Sequence, residues 1–234
     1  MSALEFRLGV VTPLGNERDG IDTFMEEVLQ YLRPEDRWFC IFDRVSTDGT
    51  RDMVETRSRV DERVVSVLAS ESRCVVDAYF AGYAAAYEAG CKWILEMDAG
   101  FSHPPKKIPE FVTAMEAGYE YVGGSRFMPG GAHRSPWTRR CLSYGGTVLA
   151  RMVLGSQMTD MTSGFECFSR PAMKHVLNQR VRSRANFFQT EIRHMMHQFR
   201  WKEIPIVYIT DRSRVGRRAI GESFRILAQM SLGK

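Results

Sequence analysis

Short apolar runs alternate with segments of helical periodicity through the first hundred residues, and this alternation constrains the fold more than any other feature. Residues 8–11 are an apolar run that ends in the turn cluster Thr12-Pro13-Leu14-Gly15-Asn16. Ile21, Phe24, Met25, Val28, Leu29 and Leu32 then recur at helical spacing, and Pro34 closes that segment. Residues 38–42 form a second apolar run that stops at Asp43, and Ser46-Thr47-Asp48-Gly49-Thr50 reads as a turn and N-cap before a helix over 50–59. A third strand is expected over 64–68, a helix over 78–89, and a fourth strand over 92–97 ending at Asp98. Such a βαβα rhythm predicts an α/β fold with a parallel central sheet flanked by helices, in which ligands bind beyond the carboxyl ends of the strands. Asp43 and Asp98 stand at two such ends. They are candidates for contacting ribose, base or metal, or else for capping the turns that follow.

The pattern changes after Gly123. Gly130-Gly131 marks a loop, and helices are expected over 136–154, 171–180 and 187–198 and from residue 220. Strands are expected over 165–168 and 204–209, with a basic stretch over 211–218. No repeat or linker-like stretch divides the chain, so residues 1–234 are expected to form a single domain. Composition narrows the classes. With 44% hydrophobic and 26% charged residues the chain is neither disordered nor fibrous, and a net charge of +4 is too small to argue for nucleic acid. The N-terminus lacks a basic segment followed by an apolar stretch, and no run approaches the roughly 18 apolar residues of a membrane span. The expectation is a protein without signal peptide or helical anchor. Cys40, Cys74, Cys91, Cys141 and Cys167 are odd in number and contain no CxxC pair, so they read as buried thiols in a reducing cytoplasm.

Six separate stretches in order carry a more specific signal. They are residues 10–17 (Val-Val-Thr-Pro-Leu-Gly-Asn-Glu), residues 42–50 ending in Ser-Thr-Asp-Gly-Thr, and residues 97–105 (Met-Asp-Ala-Gly-Phe-Ser-His-Pro-Pro) followed by Ile108-Pro109-Glu110-Phe111. Gly124-Ser125-Arg126-Phe127, Thr162-Ser163-Gly164-Phe165 and Phe188-Gln189-Thr190-Glu191 complete the set. Together, over nearly the whole chain, they resemble the family 2 glycosyltransferases, and within them the dolichyl-phosphate and polyprenyl-phosphate mannose synthases. The resemblance implies a GT-A fold with a nucleotide-sugar-binding half over about 1–105 and an acceptor half over about 106–234. It also implies inverting transfer of a hexose, mannose from GDP-mannose in this branch, onto a polyprenyl phosphate. A soluble small-molecule acceptor, or a sugar-nucleotide-binding protein without turnover, are the alternatives.

By the same resemblance, Pro13, Glu17, Asp43, Arg73 and Asp98 belong to the donor side, with His103 a further donor contact. Arg126 matches the arginine that ends the family's Gly-Ser/Thr-Arg-Tyr strand, and Arg139 with Ser143 matches the Arg-x-x-x-Ser helix that grips a lipid phosphate. Residues four apart share a helical face, so both can meet one anion. Arg212 and Arg214, with Arg217 behind them, match a basic acceptor loop, and guanidinium forks suit phosphate. Asp98, Asp160 and Arg126 are thus the expected catalytic groups. A leaving diphosphate needs a cation, Mg²⁺ or Mn²⁺ in this family, but Gly100 stands where the second Asp of Asp-x-Asp would be. Asp98 and Ser102 are left as the metal ligands, a thin set for a hard ion, and Glu96 could supply a displaced carboxylate or else pair with a base inside the sheet. Gly15 replaces an aromatic of the first motif, and Arg44 and Val45 depart from the second. Glu166 reverses the charge of the arginine usual there, so a hydroxyl acceptor could use Glu166 or Asp160 as its base, unless both are salt-bridged. His194 and His197, three apart, read as neighbours of the packing residues Ile192, Met195 and Met196 rather than a metal site, with Phe187, Phe188 and Phe199 covering core or an acceptor groove. No nucleic-acid partner is expected, and a lipid acceptor would require the basic face or a membrane subunit to bring the chain to the cytoplasmic membrane surface.

Overall fold

Strand β1 (Phe6–Leu14) runs through the centre of the molecule because its middle residues are apolar on both faces and are buried on both. In the computed structural model, which describes residues 6–44, 46–210 and 216–232, it pairs in parallel with β2 (Arg37–Phe42) and β4 (Cys91–Glu96), and β2 pairs with β3 (Val64–Leu68). Helices α1 (Ile21–Gln30), α2 (Thr50–Ser58) and α3 (Val75–Glu88) make the crossovers, as the alternation requires. Beyond β4 the sheet continues with β7 (Glu166–Ser169), β5 (Tyr121–Ser125) and β8 (Trp201–Pro205), in the order β3-β2-β1-β4-β7-β5-β8. Strand β7 is antiparallel to both of its neighbours, so the sheet is mostly parallel. Helices α1 and α4 (Ile108–Glu116) cover one face. Helices α3, α5 (Trp137–Leu154), α6 (Arg170–Leu177) and α7 (Phe188–Met195) cover the other, with Leu227 of α8 (Arg217–Leu232) packed against them.

Three expectations change. The run 204–209 is two strands, because Ile206 crosses between sheets: its N–H donates to Ser125 O and its carbonyl accepts from Ala132. Strand β9 (Val207–Ile209) pairs with β6 (Ala132–Arg134) in a separate two-stranded sheet. Strand β5 has no apolar run to announce it, since Gly123 and Gly124 fill its middle. A Cβ at Gly123 would stand 3.0 Å from the Arg193 guanidinium, so the bare backbone is what admits that side chain. Among the cysteines, Cys141 is exposed rather than buried.

Arg193 of α7 is fully buried. Its Nε donates to Glu166 Oε1 at 2.9 Å and to Ser163 O at 3.1 Å, Nη2 donates to Gly124 O at 3.0 Å, and Nη1 donates to Asp160 O. Glu203, 3.4 Å from Nη1, accepts from the backbone N–H groups of Thr159 (2.6 Å) and Asp160 (3.0 Å). One cation therefore ties β5, β7 and β8 to the loop over 159–164. Glu166 is its partner in a buried ion pair, and it does not reach either cavity described below, which removes it as an acceptor base.

Glu96 faces Glu166 across the β4–β7 register. It accepts from the Tyr83 hydroxyl and from Gln189 Nε2 at 3.1 Å, so it is neither a displaced metal ligand nor the partner of a base. Burial and the facing carboxylate push Glu96 well above the usual carboxyl range. Burial raises Glu166 as well, to about 7, against the pull of Arg193, so the proton of the pair resides on Glu96.

Two measurements check this interior. Arg193→Met should cost about 3–5 kcal/mol by leaving buried carboxylates uncompensated, and adding Glu166→Gln should recover part of that loss in denaturant unfolding. Because the folded pair keeps a proton that the unfolded carboxyls release, stability is full below the ordinary carboxyl range, near pH 4.5, and falls as the pH rises above it. Glu96→Gln, which carries no titrating proton, should flatten that decline and raise stability at pH 8 relative to the parent chain.

Candidate functional site

Two cavities meet above the carboxyl ends of β1 and β4, where the strand order reverses and an open α/β sheet leaves its crevice. The first, about 720 Å³, is lined by Pro13, Glu17, Asp98, Gly100, Phe101 and Ser102 among others. The second, about 400 Å³, is lined at one end by Arg126, Arg139, Ser143, Thr162 and Gln189. Much of its remaining lining is apolar: Leu142 and Leu149 of α5, Phe187 and Phe188 before and at the start of α7, and Ile220, Phe224 and Leu227 of α8. Tyr79, Asp98, Arg139, Asn186 and Tyr208 line both.

Asp98 sits at this junction with its side chain 38% exposed. The Tyr79 hydroxyl from α3 donates to Oδ1, and His103 Nδ1 accepts the Asp98 backbone N–H at 2.9 Å. His103 Nε2 then lies 3.7 Å from Oδ2. The imidazole is buried and stacked on Phe165 at 4.8 Å, and burial lowers it below its ordinary range, so it is a neutral brace for the carboxylate. The loop that follows is wound left-handed at Gly100 (φ +70°) and again at Phe101 (φ +63°), where a side chain is unfavourable. Phe101 is held there by packing edge-on against Phe24 at 5.2 Å.

The donor set at this loop is small. Asp98 and Ser102 share the larger cavity, Gly100 contributes no side chain, and a Cβ built there would lie 3.4 Å from Glu17 Oε2. Among the described residues no group of three or more His, Cys, Asp or Glu converges, His194 and His197 included. One carboxylate and a hydroxyl suit Mg²⁺ or Mn²⁺ when substrate phosphates and water supply the other oxygens, which is how Mg²⁺ is ordinarily held beside a diphosphate. The residues present fit a metal of that kind.

On the other side of the junction, Arg126 at the end of β5 is held by Asp160. Its Nε donates to Oδ2 at 2.7 Å, Nη2 donates to Oδ1 at 2.9 Å, and Nη2 also donates to Thr162 Oγ1 at 2.6 Å. Burial works against ionisation of Asp160, but the Arg126 charge outweighs it and keeps the carboxyl well below the usual range. Asp160 is fully buried and off both cavities, so it orients Arg126 and is not placed to act as a base. Arg139 and Ser143, one turn apart on α5, face the same cavity as Arg126. Arg139 Nη2 donates to the Tyr208 hydroxyl at 3.2 Å, while its Nε is buried without a hydrogen-bond partner.

The remaining sequence-derived residues fall further out. Asp43, half-buried at the end of β2, and Arg73, exposed before α3, line neither cavity. Arg212 and Arg214 lie outside the described residues. Tyr79, His133 and Tyr208 were not singled out from the sequence, and only Gln189 lay inside a recognised motif. The wall formed by α8 is fastened from outside by Arg184, whose Nη1 donates to Asp77 of α3 at 2.6 Å and whose backbone N–H donates to Glu222 of α8 at 2.8 Å. No helix of the described residues is long and apolar enough to cross a membrane.

A polyprenol monophosphomannose synthase of Mycolicibacterium smegmatis is 29% identical over 220 residues, which cover 92% of this chain and 82% of that protein. An undecaprenyl-phosphate mannosyltransferase of Micrococcus luteus is 27% identical over 220 residues, covering 93% of this chain and 86% of that one. Among solved structures, a glucosyl-3-phosphoglycerate synthase of Mycobacterium tuberculosis, crystallised with Mn²⁺, UDP and glucosyl-3-phosphoglycerate, superposes with a TM-score of 0.69 at 16% identity over 97% of this chain and 79% of that one. The shared fold is GT-A. Residues 9–177 match Glycosyl transferase family 2, and with these relatives over nearly its whole length the chain is a glycosyltransferase that belongs to that family.

Proposed function

We propose that this chain transfers mannose, with inversion, from GDP-mannose to the phosphate of a polyprenyl phosphate. One observation carries the reading: the partnerless Nε of Arg139 stands with Arg126 and Ser143 at the polar head of a cavity much of whose remaining lining is apolar. A ligand with an anionic head and a hydrocarbon tail fits that division, and the two mannose-transferring relatives are named for such acceptors.

The chemistry needs little from the acceptor side. A phosphate monoester is already ionised at neutral pH, so no general base has to remove a proton from it. That agrees with the burial of Asp160 and Glu166 in ion pairs, and it argues against a hydroxyl acceptor. Arg126, Arg139 and Ser143 hold the phosphate so that one oxygen faces the sugar carbon from the side opposite the leaving diphosphate. Pro13 and Glu17 line the donor cavity, and Asp98 stands between the two substrates, its carboxylate fixed by Tyr79 and His103. A bound Mg²⁺ or Mn²⁺ would be held by Asp98 and Ser102 and would offset the charge of the departing diphosphate.

We further propose peripheral attachment at the cytoplasmic face of a membrane. Trp137 and Met152 of α5 are each 70% exposed and Phe224 of α8 is 58% exposed, with Arg140, Arg151 and Arg225 exposed on the same helices. Apolar side chains among arginines suit an anionic bilayer surface, and Phe224 also lines the acceptor cavity.

Purified protein incubated with labelled GDP-mannose and undecaprenyl phosphate, with and without Mg²⁺, should yield lipid-extractable label, and Arg139→Ala should lower kcat/KM for the acceptor on the order of 100-fold. Label on the free alcohol, or none under any metal condition, would overturn the assignment. In co-sedimentation, the protein should follow phosphatidylglycerol-containing vesicles and ignore pure phosphatidylcholine. Trp137→Ser with Phe224→Ser should weaken that binding roughly tenfold or more.

A further inference from the structure

The parallel pairing of β6 with β9 sets His133 directly opposite Tyr208, beneath the two arginines of the acceptor cavity. His133 is buried between Phe127, stacked at 6.1 Å, and Tyr208, edge-on at 5.2 Å, yet it touches three polar groups. Nε2 lies 3.3 Å from Arg126 Nη1 and 3.3 Å from Ser143 Oγ, and Nδ1 lies 2.9 Å from Ser135 Oγ.

These contacts determine the tautomer. A guanidinium only donates, so Nε2 must be an acceptor and the ring proton sits on Nδ1. The Ser135 hydroxyl is consistent with this: its own hydrogen can go to Pro136 O at 3.3 Å, leaving its oxygen to accept Nδ1–H. Burial, together with the Arg126 charge, pushes the imidazole down to about 4, so it is neutral throughout the physiological range.

The consequence falls on Arg126. Of its five N–H bonds, Asp160 takes two and Thr162 takes one, and His133 takes one of the pair on Nη1. Among the described residues that leaves a single N–H, on Nη1, for the cavity. We propose that His133 is a positioning residue for the acceptor: by accepting one Nη1 hydrogen at Nε2, it aims the other Nη1 hydrogen at an anionic oxygen beside Ser143, whose hydroxyl lies 3.3 Å from the same nitrogen. This rests on the phosphate-acceptor reading above. His133 itself touches neither substrate, and with Nε2 engaged by Arg126 the Ser143 hydroxyl can donate to an incoming phosphate oxygen.

The test compares His133→Phe, which keeps a ring between Phe127 and Tyr208 but accepts nothing, with His133→Gln, whose amide oxygen can take the place of Nε2. Transfer to farnesyl phosphate is measured over a range of both substrates, with direct farnesyl phosphate binding by calorimetry and thermal melting alongside. His133→Phe should raise acceptor KM and Kd about tenfold, the scale of one hydrogen bond to a charged group, while kcat and donor KM stay within about threefold. His133→Gln should recover most of the loss. Unchanged acceptor binding in His133→Phe, no recovery in His133→Gln, or a joint fall of kcat, both affinities and melting temperature would each overturn the proposal. Arg139→Ala separates the two levels. If it also leaves farnesyl phosphate binding unchanged, the phosphate reading has failed and this proposal with it; if it weakens binding while His133→Phe does not, only the role of His133 is lost.

Discussion

The buried guanidinium of Arg193 is the constraint on which the acceptor half depends. Two carboxylates and three backbone carbonyls lie around it, in an interior where an uncompensated charge is costly. It fixes the carbonyl of Asp160 while Glu203 fixes the Asp160 N–H, so the residue that grips Arg126 is held from both sides of its backbone. A chain of obligations thus runs from α7 through the loop over 159–164 to Arg126 and on to His133. Each link satisfies a buried polar group that would otherwise be expensive, and the last donor in the series opens into the cavity.

The donor side is arranged on a different plan. Asp98 is partly exposed and is braced by groups that remain neutral: a tyrosine whose ionisation burial suppresses and an imidazole kept uncharged by burial. Negative charge at the junction is therefore not cancelled by the protein, as suits a carboxylate that works beside a cation and a diphosphate. At the arginine end the opposite holds, because Arg126 is largely neutralised by Asp160, while among the described residues Arg139 lines the cavity with no carboxylate in an ion pair with it. Direction comes from one arginine and charge from the other.

How far the sequence could be read follows from range. Strands β1 to β4 were legible because each is a continuous apolar run closed by a turn, and Asp98 could be placed at a strand end from that alone. Strand β5 was hidden by Gly123 and Gly124, whose purpose, making room for a side chain seventy residues away at Arg193, has no local signature. The run 204–209 looked like one strand because apolar character does not record a change of sheet at Ile206. Glu166 and Asp160 could be marked as salt-bridged or catalytic but not decided, since their partners Arg193 and Arg126 lie 27 and 34 positions away. His133, on a three-residue strand between loops, had no pattern to make it visible.

The clasp at Arg184 has a consequence for how this enzyme would respond to its medium. It joins α3 to α8 through a backbone N–H that donates to Glu222 and an ion pair to Asp77 whose arginine is 65% exposed, a class of contact worth about 1 kcal/mol or less and screened further by salt. The helix it fastens is one wall of the apolar cavity, so ionic strength acts on that wall and on the arginines at its polar end in the same direction. A steep loss of lipid affinity in concentrated salt would overstate the Coulombic attraction between acceptor and site, because part of it would be the cost of a loosened wall. Neutral osmolytes, which leave ion pairs alone and favour burial, would separate the two contributions.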